Sequence, residues 1–258
     1  MSLSAVTTII AGMHSRTTRT EAASLRAAGA TLSETSRRLR VSRSTLRAWE
    51  DGRAAAPARP CPRCDGSTLD APAYATLLGL YLGDGCISRA PRSHTLRVSC
   101  DERYPAIIDD VTACVAAVRP GTVFHVTAPG CVVVSAHWRH WPCLFPQHGP
   151  GRKHERPIVL EDWQRQVVEA HPGAFLRGLF HSDGCRVRNW TQRTVAGELK
   201  RYDYPRWQFV NASADIRELC CWALDLVGVA WRQSNRRTIS VSRREAVAAL
   251  DALIGPKG

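Results

Sequence analysis

Apolar and polar positions fall into two regimes along the chain. The first begins at Thr20, where Ala22, Ala23, Leu25 and Ala28 recur at helical spacing and Gly29 closes the run. Thr31-Leu32-Ser33-Glu34 opens a second helix, with Leu32, Thr35, Ser36 and Leu39 on one face. Thr31 or Ser33 can cap it, and Glu34 stands where the helix dipole favours a carboxylate. Arg40-Val41-Ser42 reads as a short turn with Val41 as its apolar plug, and Arg43 to Glu50 as a third helix with Leu46 and Trp49 inward. Residues 1–19 lack periodicity and are expected to form a loose arm before this 20–53 module. Residues 54–69 are expected to form a linker, rich at first in Ala, Pro and Arg and carrying Cys61-Pro62-Arg63-Cys64.

The second regime starts at about residue 70 and is written twice. Leu77-Leu78-Gly79-Leu80-Tyr81-Leu82-Gly83-Asp84-Gly85 is an apolar helix ending in an acid and a glycine. Leu176-Arg177-Gly178-Leu179-Phe180-His181-Ser182-Asp183-Gly184 repeats it, and Cys86 and Cys185 follow the two glycines. Strand patterns come next in both copies, at Thr95–Ser99 and Arg206–Val210. Helices are expected at about 104–118 and 214–227. Two more strands follow each, Thr122–Val126 with Val132–Ala136, then Val229–Gln233 with Thr238–Ser242, and a further helix closes each copy. The pattern is an αββαββα unit in two copies, about 70–160 and 161–258.

Small residues four apart, Gly79 with Gly83 and Gly178 with Ser182, make a groove in which two helix backbones can meet. Paired this way, the helices form a seam and bring Asp84 and Asp183 together. Two carboxylates at helix C-termini oppose the dipoles and repel each other, which calls for a cation; oxygen donors of this kind suit Mg²⁺ or another hard divalent ion.

Charge adds a partner. With 35 Lys+Arg against 23 Asp+Glu the net charge is +12, and only Lys153, Lys200 and Lys257 are lysines. Such an arginine-rich surface favours polyanions, most simply nucleic acid, and disfavours acidic partners. No run approaches the roughly 20 apolar residues of a membrane span, and the N-terminus lacks the pattern of a signal peptide. Ten cysteines scattered through a chain of this length read as reduced thiols, so a cytoplasmic, nucleoid-associated protein is expected. Cys61 and Cys64 look like half of a structural zinc site, which Cys143, His148 or His154 could complete through folding.

The 20–53 module resembles a helix-turn-helix domain of the resolvase or homeodomain-like kind, whose third helix enters the major groove. That resemblance implies Arg43, Ser44, Thr45 and Arg47 as the reading face; a small bundle with a solvated basic face is the alternative. The duplicated motif resembles the LAGLIDADG homing endonucleases in their two-motif, single-chain form, over residues 70–258. The stretch Gly151-Arg152-Lys153, Arg156-Pro157-Ile158 and Trp163 before the second motif adds to the likeness.

The resemblance implies an α+β fold: a pseudo-twofold duplicated αββαββα unit whose antiparallel sheets form a saddle on double-stranded DNA. A monomer making metal-dependent double-strand breaks at a specific site is expected. Asp84 and Asp183, with backbone neighbours Gly83 and Ser182, would hold Mg²⁺ or a similar cation. Arg97, Arg186, Arg188, Arg193, Arg206, Arg232, Arg236 and Arg237 are candidate DNA contacts, and Trp190 and Trp207 core or platform residues. The family usually adds a basic residue, often Lys, from the last strand of each repeat. The matching neighbourhoods offer His137 or Arg139 and Arg243 or Arg244, and no Lys. Arg is a poor base. A DNA-binding regulator on the same scaffold is therefore the rival reading, with an intron maturase behind it. The termini show no intein nucleophile or closing His-Asn pair, so an intein is not expected.

Overall fold

The computed structural model describes residues 16–52, 60–91 and 93–257. They belong to two compact units, Met1–Arg59 and Pro60–Gly258. Most of the expected arm, residue 53 of the expected helical module and residues 54–59 of the expected linker lie outside the described residues.

In the first unit, α1 (Arg16–Ala27), α2 (Leu32–Leu39) and α3 (Arg43–Glu50) close on Ala22, Val41 and Leu46, flanked by Leu32, Leu39 and Trp49. Helix α1 starts four residues before the expected Thr20. Thr31 is the cap of α2: its hydroxyl accepts from Glu34 N at 3.2 Å, while Glu34 accepts from Thr31 N at 2.7 Å. Arg40 turns the chain in the left-handed region at φ 53°, and Ser42 caps α3 by accepting from Thr45 N at 3.1 Å.

The second unit begins inside what the sequence presents as linker. Cys61 is 1% exposed and belongs to the main core. A one-turn helix α4 (Pro62–Asp65) leads to α5 (Ala71–Leu82), β1 (Gly85–Ala90), β2 (Ser93–Asp101), α6 (Pro105–Val118), β3 (Phe124–Ala128) and β4 (Cys131–His137). After α7 (Trp141–Leu144) and α8 (Asp162–Ala170) the plan repeats: α9 (Pro172–Asp183), β5 (Gly184–Val195), β6 (Glu198–Val210), α10 (Ala214–Leu226), β7 (Arg232–Asn235), β8 (Thr238–Val241) and α11 (Arg244–Ile254). The sheets are antiparallel and of one topology, β1-β2-β4-β3 and β5-β6-β8-β7. This is the expected α+β fold with its duplicated unit.

The registers match as well. Gly85 pairs with Val98 and Val98 with Val134; Gly184 pairs with Phe209 and Phe209 with Ile239. The lengths do not: β5 and β6 form a hairpin of 12 and 13 residues, against 6 and 9 in β1 and β2. Ala196 and Gly197, both at positive φ, make its two-residue turn. Trp207 is fully buried, whereas Trp190 stands on the hairpin, 52% exposed.

Helices α5 and α9 form the seam. Every residue of α5 from Tyr74 to Leu82 is buried, which is why its apolar residues go all the way round. The backbones touch where the glycines cross. A Cβ on Gly79 would lie 2.7 Å from Leu179 N, and one on Gly178 would lie 2.8 Å from Leu80 N. One turn on, a Cβ on Gly83 would strike the Ser182 side chain and approach Asp183 Oδ2 to 3.1 Å.

Candidate functional site

The glycine crossing delivers Asp84 and Asp183 to the same end of the seam. Asp183 is the last residue of α9; Asp84 follows α5, its N–H still donating to Leu80 O at 3.0 Å. Desolvation by the surrounding protein raises both carboxyl pKa values, although Asp84 keeps an open side toward solvent. For Asp183 the charge of Asp84 adds to desolvation and pushes the value to about 6, although a hydrogen bond from Asn211 (Nδ2 to Oδ2, 2.6 Å) and nearby lysines act the other way. Two positions past Val98 and Phe209, the strand partners of Gly85 and Gly184, stand Cys100 and Asn211; the first repeat thus has a thiol where the second has the amide that holds Asp183, and the two acids are not equally supported.

Two lysines complete the arrangement, and they reach the motif ends from outside the last strands, where none was expected. Lys153 Nζ donates to the carbonyls of Tyr81, Gly83 and Gly85 at 2.5, 2.5 and 2.9 Å. Lys257 Nζ donates to those of Phe180, Ser182 and Gly184 at 3.3, 3.1 and 2.5 Å. These are equivalent positions in the two motifs. The end of a helix leaves carbonyls without partners at its negative pole, and an ammonium has three donors with which to meet them. Burial lowers both lysine pKa values, that of Lys153 to about 8, against the opposing pull of Asp183 and Asp84. The carbonyls of Gly83 and Ser182, expected beside a metal ion, are thus already engaged by ammonium groups.

The lysines cross over. A cleft of about 1010 Å³ is lined by Lys153, Gly83, Asp183 and Asn211. A smaller one of about 160 Å³ is lined by Lys257, Ser182, Asp84 and Cys100. Each lysine ties down the motif of its own repeat and faces the acid of the other.

The basic residues expected from the last strands stand elsewhere. His137 pairs with Thr95, three positions from Val98 and so about 10 Å along the strand from the level of Gly85. Its Nδ1 lies 2.8 Å from Thr95 Oγ1. Arg243 is the N-cap residue of α11, four positions past Ile239, or about 13 Å from the level of Gly184.

Several expected DNA contacts have internal partners. Arg186 makes a two-pronged bond to Asp251 at 3.0 and 2.9 Å, Arg97 donates to Ser88, and the Arg206 guanidinium lies over the Tyr204 ring at 6.0 Å. Arg188 is 3.8 Å from Asp203 with its side chain 83% exposed. Arg193, Arg232, Arg236 and Arg237 are exposed. On α3, Arg43 and Arg47 are exposed, but the Ser44 and Thr45 hydroxyls lie 2.9 and 2.7 Å from Ser42 Oγ, in the capping network.

Cys61 and Cys64 gain their partners through folding. Ligand atoms of Cys61, Cys64, His140 and Cys143 all lie within 4.8 Å of one another. Cys143 was expected there and His140 was not. His148 instead faces the His94 ring at 6.1 Å, and His154 approaches Glu155 at 3.8 Å. The missed signal is the spacing of His140-Trp141-Pro142-Cys143, which mirrors Cys61-Pro62-Arg63-Cys64.

Among the described residues, no helix is long and apolar enough to cross a membrane. No family model and no curated protein matches the chain. Solved structures similar to it include the LAGLIDADG meganuclease I-AabMI bound to uncleaved DNA, at 13% identity over 70% of this chain and 82% of that one, TM-score 0.45. The homing endonuclease I-WcaI bound to its DNA recognition sequence gives 14% identity over 74% and 84%, TM-score 0.46. Full-length DUF199/WhiA from Thermatoga maritima gives 13% over 72% and 55%, TM-score 0.45.

Proposed function

We propose that the chain is a site-specific DNA endonuclease that makes metal-dependent double-strand breaks. One observation carries this reading: two carboxylates at the seam, each sharing a cleft with a lysine fixed by three carbonyls. Two such centres related by internal symmetry suit two phosphodiesters on opposite strands. The +12 charge and the exposed arginines of the sheets and of α3 supply attraction to the DNA backbone.

Asp84 and Asp183 fit a hard divalent cation such as Mg²⁺. Their donors are carboxylate oxygens, and burial keeps both pKa values raised despite two lysines nearby, so a divalent cation would favour the ionised pair. A bound ion of this kind supplies an activated water and stabilises charge on the phosphate. Asn211 orients the Asp183 carboxylate. Lys153 and Lys257 present fixed positive charge to phosphate oxygens, and Lys153, with its pKa near 8, can accept a proton in mildly basic solution.

The test is incubation with Mg²⁺ and a randomised DNA library. Double-strand breaks that disappear in Asp84→Asn support the reading; no such break with Mg²⁺ or Mn²⁺ sinks it. A DNA-binding regulator without cleavage is the second reading, favoured by the three-helix unit with Arg43 and Arg47 exposed. Its other motive, a lysine missing from the last strands, is offset in the first reading by Lys153 and Lys257 at the motif ends. A footprint on a defined sequence without strand scission would select it.

A further inference from the structure

Cys61-Pro62-Arg63-Cys64 and His140-Trp141-Pro142-Cys143 are two knuckles with one spacing. In each, the first residue is the N-cap of a one-turn helix, Cys61 for α4 and His140 for α7, with proline in the first turn. Such a turn swings the first and fourth side chains to one side. Cys64 Sγ lies 3.7 Å from Cys143 Sγ and 3.4 Å from His140 Nδ1, and Cys143 Sγ lies 3.6 Å from the same nitrogen. A tetrahedral zinc ion with ordinary bond lengths separates two thiolate sulfurs by about 3.8 Å, and a sulfur from an imidazole nitrogen by about 3.6 Å. The three edges joining Cys64, His140 and Cys143 have those lengths, and the Cys61 ligand atom lies within 4.8 Å of each of the others. The first knuckle is held by its own backbone: the Cys61 carbonyl accepts from Cys64 N at 2.9 Å, and Cys61 N donates to Asp65 Oδ2 at 2.8 Å.

We propose that Cys61, Cys64, His140 and Cys143 bind one Zn²⁺ ion in a closed structural site that anchors the strap carrying Lys153. Binding releases the three thiol protons to solvent and forms three Zn–S bonds and one Zn–N bond. With zinc on Nδ1 the ring proton of His140 moves to Nε2. Arg139, which donates to that nitrogen at 2.8 Å and is exposed, then turns to solvent.

The mechanical path is short. Helix α7 runs into Phe145, whose ring packs on Tyr81 at 4.5 Å and on Tyr74 at 5.8 Å. Gln147 follows, its carbonyl accepting from Arg156 at 3.2 and 3.3 Å and its side chain donating to Val159 O at 2.8 Å. Lys153 sits between these fixed points. The proposal goes beyond nuclease activity, and zinc content is measured without DNA, so either reading can fail alone.

The test uses the reduced full-length chain. Metal analysis should give about one zinc per chain, and Co²⁺ in its place should show the thiolate charge-transfer bands of a tetrahedral Cys/His site. Cys143→Ser should lose the metal, while Cys131→Ser, outside the cluster, keeps it. Because a serine variant can fail to fold, zinc is also extracted from the wild type by a chelator. Amide exchange should then quicken in 145–156 and recover when zinc is restored. Absence of zinc after purification and zinc addition, zinc retained by Cys143→Ser, a Cys64–Cys143 disulfide found by mass, or unaltered exchange in 145–156 would each overturn the proposal.

Discussion

Replacing Asp183 by Asn should stabilise the protein while ending its proposed chemistry. The carboxyl has a pKa of about 6 in the folded state against an ordinary value of 3.8. That gap corresponds to about 3 kcal/mol against the ionised form. The sign follows from proton binding: between these two values the folded state holds a proton that the unfolded state has released, so wild-type stability falls as pH rises. Asparagine, neutral throughout, escapes that loss and can still accept from Asn211. Its advantage should be small at pH 4, grow through pH 6 and level off above about pH 7, at about 2–3 kcal/mol, or about 5–10 °C in melting temperature for a unit of this size. Seven of the eight tryptophans lie in the second unit, so their fluorescence follows its unfolding. Melts of both proteins from pH 4 to pH 8, without added Mg²⁺, make the comparison. An advantage independent of pH, or an Asn variant less stable at pH 8, would refute the argument. Added Mg²⁺ should narrow the gap by stabilising the wild type.

Other outcomes follow from the same geometry. Gly178→Ala forces a Cβ to 2.8 Å from Leu80 N, backbone that cannot retreat, and should cost about 4 kcal/mol or more by chemical denaturation. Lys153→Met should reduce cleavage by about 10²–10⁴-fold, while gel-shift affinity for DNA changes only a few-fold. Tyr74→Phe removes the hydroxyl that donates to Leu144 O and accepts from Gln164 Nε2 at 2.7 Å, and should cost about 1–3 kcal/mol. Thr31→Ala opens the capping box of α2 and should destabilise the first unit by about 1 kcal/mol, seen as lost helicity in a 16–52 peptide.

The scaffold was legible because its signals are local and occur twice. Glycine at 79 and 178, an acid five residues further on in each copy, and strand patterns behind them can all be read from neighbouring positions. The lysines were not, because helix-end carbonyls recruit an ammonium from wherever the chain returns. Lys153 arrives from a turn and Lys257 from the tail after α11, not from a strand. A signal was nevertheless present. Gly151-Arg152-Lys153 and Gly255-Pro256-Lys257 share one spacing, and both glycines adopt positive φ, 75° and 71°. His140 escaped for a similar reason: Cys64, which it meets, lies 76 positions before it. Arginine counts overstated the free basic surface, since Arg186 is taken by Asp251, a partner that only the closure of α11 provides.

The crossing of the lysines has a consequence for how the chain can be divided. Cut between the repeats, each fragment would carry one acid and one lysine, yet each lysine would face an acid on the missing piece. Neither fragment would own an intact centre, whereas two fragments reassembled at the glycine crossing would restore both. Loss of a whole repeat would accordingly break both centres at once, one through its acid and the other through its lysine.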